Sequence, residues 1–166
     1  MKKSNPDCVI DSSVILDYYE VKGLSHLMGF PYRLVTLDLM IHDLEIPTPA
    51  EIANSGIISV ETPVEIMLAM GQLSAAYKIS TFDAALLLYA KTTNSILLSG
   101  DKALRNAAKK EGAAVKGTLW VLESLVSNNI LKSDQACFIL ERMFMLGRRL
   151  PPDEASSKIL KWEQQR

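Results

Sequence analysis

The chain has 166 residues, 48% of them apolar and 22% charged, with a formal net charge of −1. This composition excludes a disordered chain, suits a domain with a full hydrophobic core, and lacks the broad basic footprint of a non-specific nucleic-acid binder, though a local patch remains open. No apolar run approaches the ~18 residues that span a bilayer, and the start MKKSNPDCVIDSS has two lysines but no secretory apolar core, so no membrane association and a cytoplasmic location are expected.

Cys8-Val9-Ile10 reads as a short buried strand, and SSVILDYYE after it as a helix. Leu24 to Phe30 predicts a second short helix, Tyr32 to Thr36 a strand, and Leu37 to Glu45 a helix. Pro47, Pro49, Asn54 and Gly56 mark a loop around a short helical turn. Ile57 to Val60, bounded by Gly56 and Pro63, reads as a strand, and Pro63 suits the first turn of the helix PVEIMLAMGQLSAAYK. Ser80 to Thr93 predicts a helix with the apolar run AALLLYA buried on most sides. Ser95 to Ser99 is the next strand, Lys102 to Glu111 a helix stopped by Gly112, and Ala113 to Lys116 the last strand. From Gly117 onward the pattern is helical only. The alternation predicts about five strands in a mostly parallel sheet with helices covering both faces. Cys8 and Cys137 form no CxxC pair and are expected to be buried thiols.

Four acids carry the chemistry. Asp11 follows the first strand, and Asp101 follows the Ser95–Ser99 strand across Gly100, which would let the backbone turn sharply and approach a ligand. Each of the two also reads as a helix N-cap. Asp83 lies three residues after Ser80, as in a capping box, at the edge of a buried helix. Asp43 on the helix LMIHDLE is by default a surface carboxylate. If the first strand and Ser95–Ser99 are neighbours, Asp11 and Asp101 share the crevice at the carboxyl ends of the strands, where open α/β sheets bind ligands. Carboxylates gathered there repel, by about 4 kcal/mol per pair at ~4 Å and an effective dielectric of about 20. A hard divalent cation, Mg²⁺ or Mn²⁺, relieves that repulsion, and oxygen-only ligation disfavours zinc. His26 and His42 lack zinc spacing, and there is no GxxxxGK[ST] loop, GxGxxG turn or GxSxG elbow. Lys102, Arg105, Lys109, Lys110 and Lys116, opposed by Glu111, form either a solvated helix face or a phosphate-contacting patch.

These segments resemble the PIN domain, a family of small metal-dependent ribonucleases, and most closely its VapC-like toxin branch. VIDSSVIL, LVTLDLMIHDLE, TFDAALLLYAK and ILLSGDKALRNAAKKEGAAVKGTLWVL match its acidic motifs in order. GTLWVLESLVSNNILKSDQACFILERM and GRRLPPDEASSKILK look like the helical tail of one PIN subgroup. The resemblance implies a three-layer α/β/α fold with a parallel sheet ordered 3-2-1-4-5. It implies a single domain over 1–166, with a nuclease core at about 7–126 and a helical extension at about 127–166. It makes Asp11, Asp43, Asp83 and Asp101 the catalytic, metal-binding acids. The second acid is usually Glu in the family, so Glu45 is the alternative to Asp43. Ser13 and Ser99 take supporting positions, and Lys102 or Arg105 contacts RNA phosphate. The implied activity is Mg²⁺- or Mn²⁺-dependent cleavage of single-stranded RNA, by a homodimeric toxin held in check by an antitoxin protein. The competing expectation is a PIN-like RNA- or protein-binding module of weak or no activity. A phosphoaspartyl enzyme would carry DxD at the first strand, where Asp11-Ser12-Ser13 stands instead.

Overall fold

The computed structural model describes residues 5–165. Five short strands, β1 (Cys8–Ile10), β2 (Leu34–Leu37), β3 (Ile58–Val60), β4 (Ile96–Leu98) and β5 (Val115–Lys116), form one sheet ordered β3-β2-β1-β4-β5. Every pairing is parallel. This is the expected order. The strands β1, β2 and β4 are buried almost throughout, as continuous apolar runs in a parallel sheet should be. Ile58 and Ser59 of the edge strand β3 are exposed.

Register decides what meets at the carboxyl edge. Ile10 pairs with Leu98, so the next residues, Asp11 and Ser99, emerge side by side. The Asp11 amide extends the ladder by donating to the Leu98 carbonyl at 2.9 Å. The chain runs outward from β1 to β2 and β3, then returns to place β4 on the other side of β1. The gap between β1 and β4 is therefore the topological switch point, where such sheets bind ligands.

The helices are α1 (Ser12–Glu20), α2 (Asp38–Asp43), α3 (Pro49–Asn54), α4 (Val64–Tyr77), α5 (Thr81–Thr92), α6 (Lys102–Lys110), α7 (Thr118–Ser127), α8 (Ser133–Met145) and α9 (Pro152–Glu163). Leu24–Gly29 is a 3₁₀ helix and not an α-helix. α3 begins with a capping box between Thr48 and Glu51, and Pro63 stands at the N-cap of α4, one place before the expected first turn. α5 buries Ala84, Ala85, Leu86, Leu87 and Ala90 against β1, β2 and β4, with α4 lying over it. α6 ends at Gly112, whose φ of +71° needs no side chain. Both cysteines are buried, and burial, helped by the charge of Asp7, pushes the Cys8 thiol up to about 12. No helix among the described residues is long and apolar enough to cross a membrane.

The C-terminal helices are tied back to the sheet. Glu123 of α7 pairs with Lys158 and Lys161 of α9, and Trp162 is buried. Between α8 and α9, Arg148 donates its Nε to Oδ1 of Asp17 at 2.5 Å. Thr118 at the start of α7 donates to Oδ2 of the same carboxylate at 2.6 Å. Asp17, on α1, is 4% exposed. Removing one partner from a buried ion pair strands the other charge. Arg148→Ala should therefore cost about 3 kcal/mol in urea unfolding, far more than an exposed Arg→Ala change.

Candidate active site

Asp11 holds the N-cap position of α1, yet its side chain caps nothing. The carboxylate turns instead toward the β4–α6 connection. Its Oδ2 accepts from Ser13 Oγ at 2.7 Å and from Ser99 Oγ at 2.9 Å, while Oδ1 receives only Ser12 Oγ at a long 3.3 Å. Each of the first two hydroxyls also accepts a backbone N–H, Ser13 from Gly100 at 2.9 Å and Ser99 from Asp101 at 3.0 Å. A hydroxyl has one proton to give, so both are committed to Asp11. Asp11 is 2% exposed, and no lysine or arginine pairs with it among the described residues.

Asp101 does cap its helix, since its Oδ1 accepts from the Leu104 amide at 2.8 Å. Its side chain stands exposed at the mouth of the crevice, with Oδ2 bonded to no described residue. Asp83 lies in the first turn of α5, where its amide donates to Ser80 Oγ at 3.0 Å. Burial first, then the negative charge of Asp11 and, more weakly, that of Asp101, push the Asp83 carboxyl up to about 6, against the pull of Ser80. Acids from the β1–α1 junction, α5 and the β4–α6 junction thus share one electrostatic neighbourhood.

The other expected acids stand apart. Asp43 is the exposed last residue of α2, and Glu45 is exposed in the turn beyond it. Neither charge is among those that raise Asp83. Among the described residues, no three His, Cys, Asp or Glu side chains are set closely enough to hold a metal ion as they stand. Among the described residues the tight gathering of four carboxylates expected from sequence is not seen, since Asp43 and Glu45 stand apart from the other three. The donors still fit a hydrated Mg²⁺. That ion keeps several of its waters and uses one or two carboxylates with substrate phosphate, in place of an all-protein cage. An Oδ of Asp11 with one long hydrogen bond and an unengaged Oδ of Asp101 are such donors.

Gly100 does not have the positive φ that a sharp glycine turn would require. A Cβ there would meet Ser13 Oγ at 3.6 Å and Asp17 Oδ2 at 4.0 Å, ordinary contact distances. What the glycine contributes is a bare surface beside Asp101. Lys102 is exposed, as are Lys109, Lys110 and Lys116. Arg105 donates Nη1 to the Ser99 carbonyl at 2.9 Å and lies against Gly117. His42 is exposed and His26 half-buried in the 3₁₀ helix.

Three residues near this edge have no signal in the sequence pattern: Asp17, Arg148 and Arg149. Their link to the site is tertiary, 131 positions apart for the Asp17–Arg148 pair. Asp38, also at a strand end, is occupied structurally. Its Oδ1 accepts from the Leu39 amide and from both the amide and hydroxyl of Thr62, and the Thr62 bond chiefly holds its carboxyl below the usual range.

The sequence profile of the PIN domain matches residues 7–164, and the chain belongs to that family. PIN domains are generally nucleases that use divalent metal ions. Among solved structures, the crystal structure of PAE2754 from Pyrobaculum aerophilum is similar, with a TM-score of 0.55 and 14% sequence identity over 74% of this chain and 98% of that one. Similarity at that identity speaks for the fold alone. No curated protein matches the sequence.

The raised Asp83 has a stability consequence. With the folded value near 6 and the ordinary carboxyl value of 3.8, ionisation costs the fold as pH rises through that window. Asp83→Asn should stabilise the metal-free protein by about 1–2 kcal/mol near neutral pH and by nothing below pH about 4. Urea titrations at the two pH values check this.

Proposed function

We propose that this chain is a metal-dependent endoribonuclease that hydrolyses phosphodiester bonds of single-stranded RNA. The observation that carries the reading is the bridge from Asp11 through Ser99 to the Asp101 amide, with Asp83 close enough to be raised by both acids. Membership of a nuclease family supports the reaction class, and the RNA preference follows from the resemblance to ribonucleases. Asp11, Asp83 and Asp101 are the residues that would hold Mg²⁺ or Mn²⁺. Asp43, exposed and one methylene shorter than the usual Glu, would act through water, with Glu45 as the alternative. When bound, such an ion supplies Lewis-acid polarisation of the phosphate and a water acidic enough to attack at neutral pH.

The chain's own residues have distinct tasks. Ser13 and Ser99 fix the plane of the Asp11 carboxylate, because their protons have no other use. Asp101 gives one oxygen to the α6 backbone and leaves the other toward the crevice. Asp83, held near 6, carries its charge at neutral pH but gives it up in mild acid. Lys102 and Arg105 stand at the start of α6, where RNA phosphate would be met. The VapC-like resemblance further suggests a homodimeric toxin restrained by an antitoxin.

That no three-ligand cluster is found among the described residues favours one other reading, a PIN-like module that binds RNA or protein without cleaving. The two separate in one assay. Purified protein should cleave single-stranded RNA with Mg²⁺ or Mn²⁺ and stop in EDTA. Asp11→Asn should slow cleavage by about 10²–10³-fold, the equivalent of several kcal/mol of lost electrostatic stabilisation. Equal cleavage by both proteins, or none across varied RNAs, would turn the argument toward the binding module.

A further inference from the structure

Two hollows flank Gly100. One, of about 300 Å³, opens between Ser13, Asp17, Asp101, Arg148 and Arg149. The other, of about 250 Å³, has Ser99, Arg105, Lys116, Arg149 and Glu154 in its walls. Gly100 and Arg149 belong to both. With no side chain at Gly100, nothing rises from the floor between them. Arg149 thus borders both the hollow at the acids and the one toward β5.

The three arginines on that path are not equivalent. Arg148 is neutralised by the buried Asp17. Arg105 spends one N–H on the Ser99 carbonyl, which is uncharged, so its positive charge is uncompensated. Arg149 is exposed and makes no ion pair or hydrogen bond with any described residue; Glu154, the carboxylate on the same wall, is not within bonding distance. An acidic crevice on a chain of net charge −1 repels a polyanion. Something beside it must attract the backbone. A guanidinium presents a planar fork that matches two phosphate oxygens at once.

We propose that Arg149, with Arg105 and Lys116 behind it, forms a phosphate-binding subsite that holds the RNA strand next to the bond at Asp101. The inference rests on the nucleic-acid-cleaving reading of the site and names the residue that grips its substrate. Arg148 is the positioning residue: its bond to Asp17 pins the backbone from which Arg149 projects.

The test is binding in EDTA, where no metal-dependent turnover intrudes. A short fluorescein-labelled single-stranded RNA is titrated with protein at several salt concentrations and followed by anisotropy. Arg149→Ala should weaken binding about tenfold and lower the slope of log K against log salt by about one, the signature of one lost phosphate contact. Arg149→Lys should keep the slope and lose part of the affinity, since the charge stays and the fork goes. Arg33→Ala removes the same formal charge just before β2, at the amino ends of the strands, where Arg33 is paired with Asp7, and should change affinity by less than about twofold. Wild-type affinity and slope in Arg149→Ala would overturn the subsite. So would an equal loss in Arg33→Ala, or no detectable binding by the wild-type chain. If Arg149→Ala binds poorly while the wild type binds but never cleaves, the subsite stands and the nuclease reading falls.

Discussion

Asp11 is a carboxylate buried at the end of the central strand with no lysine or arginine paired to it among the described residues, and the geometry of this edge follows from how that group is accommodated. Taking a carboxylate out of water costs several kcal/mol. Two hydroxyl donors return about 1.5–3 kcal/mol each, and each is itself locked by a backbone amide of the β4–α6 turn. The bond network therefore does more than solvate Asp11. It clamps Gly100 and Asp101 against the start of α1. What it leaves uncompensated is the negative potential that raises Asp83. No lysine or arginine among the described residues pairs with Asp11 or Asp83 to cancel it.

Asp11 and Asp101 occupy the same kind of position, one residue before a helix, and use it differently. Asp101 is a true cap that still has an oxygen to spare. Asp11 stands at an N-cap but spends its carboxylate on the neighbouring connection. A cap reading and a ligand reading are thus compatible for Asp101, and the cap reading fails for the Asp11 side chain. Asp83 adds a third case. Its carboxylate sits where Ser80 caps α5, on a helix whose other residues fill the core over β1 and β4. Packing of α5 fixes where that charge goes.

Much of this was legible in the chain. The apolar runs place each strand to within a residue or two, because a buried parallel strand is a short block of apolar side chains between turn residues. The sheet order came from the family resemblance and not from periodicity, which carries no information about which strands are neighbours. Asp11, Asp83 and Asp101 were visible as acids at element starts. Asp43 is singled out only by the family resemblance, and lies exposed at the far end of α2. Gly100 suggests a backbone freedom that its φ does not use. Arg149 was invisible because two consecutive arginines after a helix look like any solvated turn until Asp17 is known to hold one of them.

The holding residue explains why the basic and acidic parts of this edge belong together. Ser13 and Asp17 are four residues apart on α1, so they project from one face of the helix in successive turns. The first turn binds Asp11 and the Gly100 amide; the next binds Arg148 and Thr118. A single rigid helix thus sets the spacing between the acids and the segment that carries Arg149. Moving the C-terminal helices away would leave Asp17 buried and unpaired beside Gly100, at a cost that the fold resists. Gly147, Arg148 and Arg149, between α8 and α9, are for this reason part of the wall of the crevice.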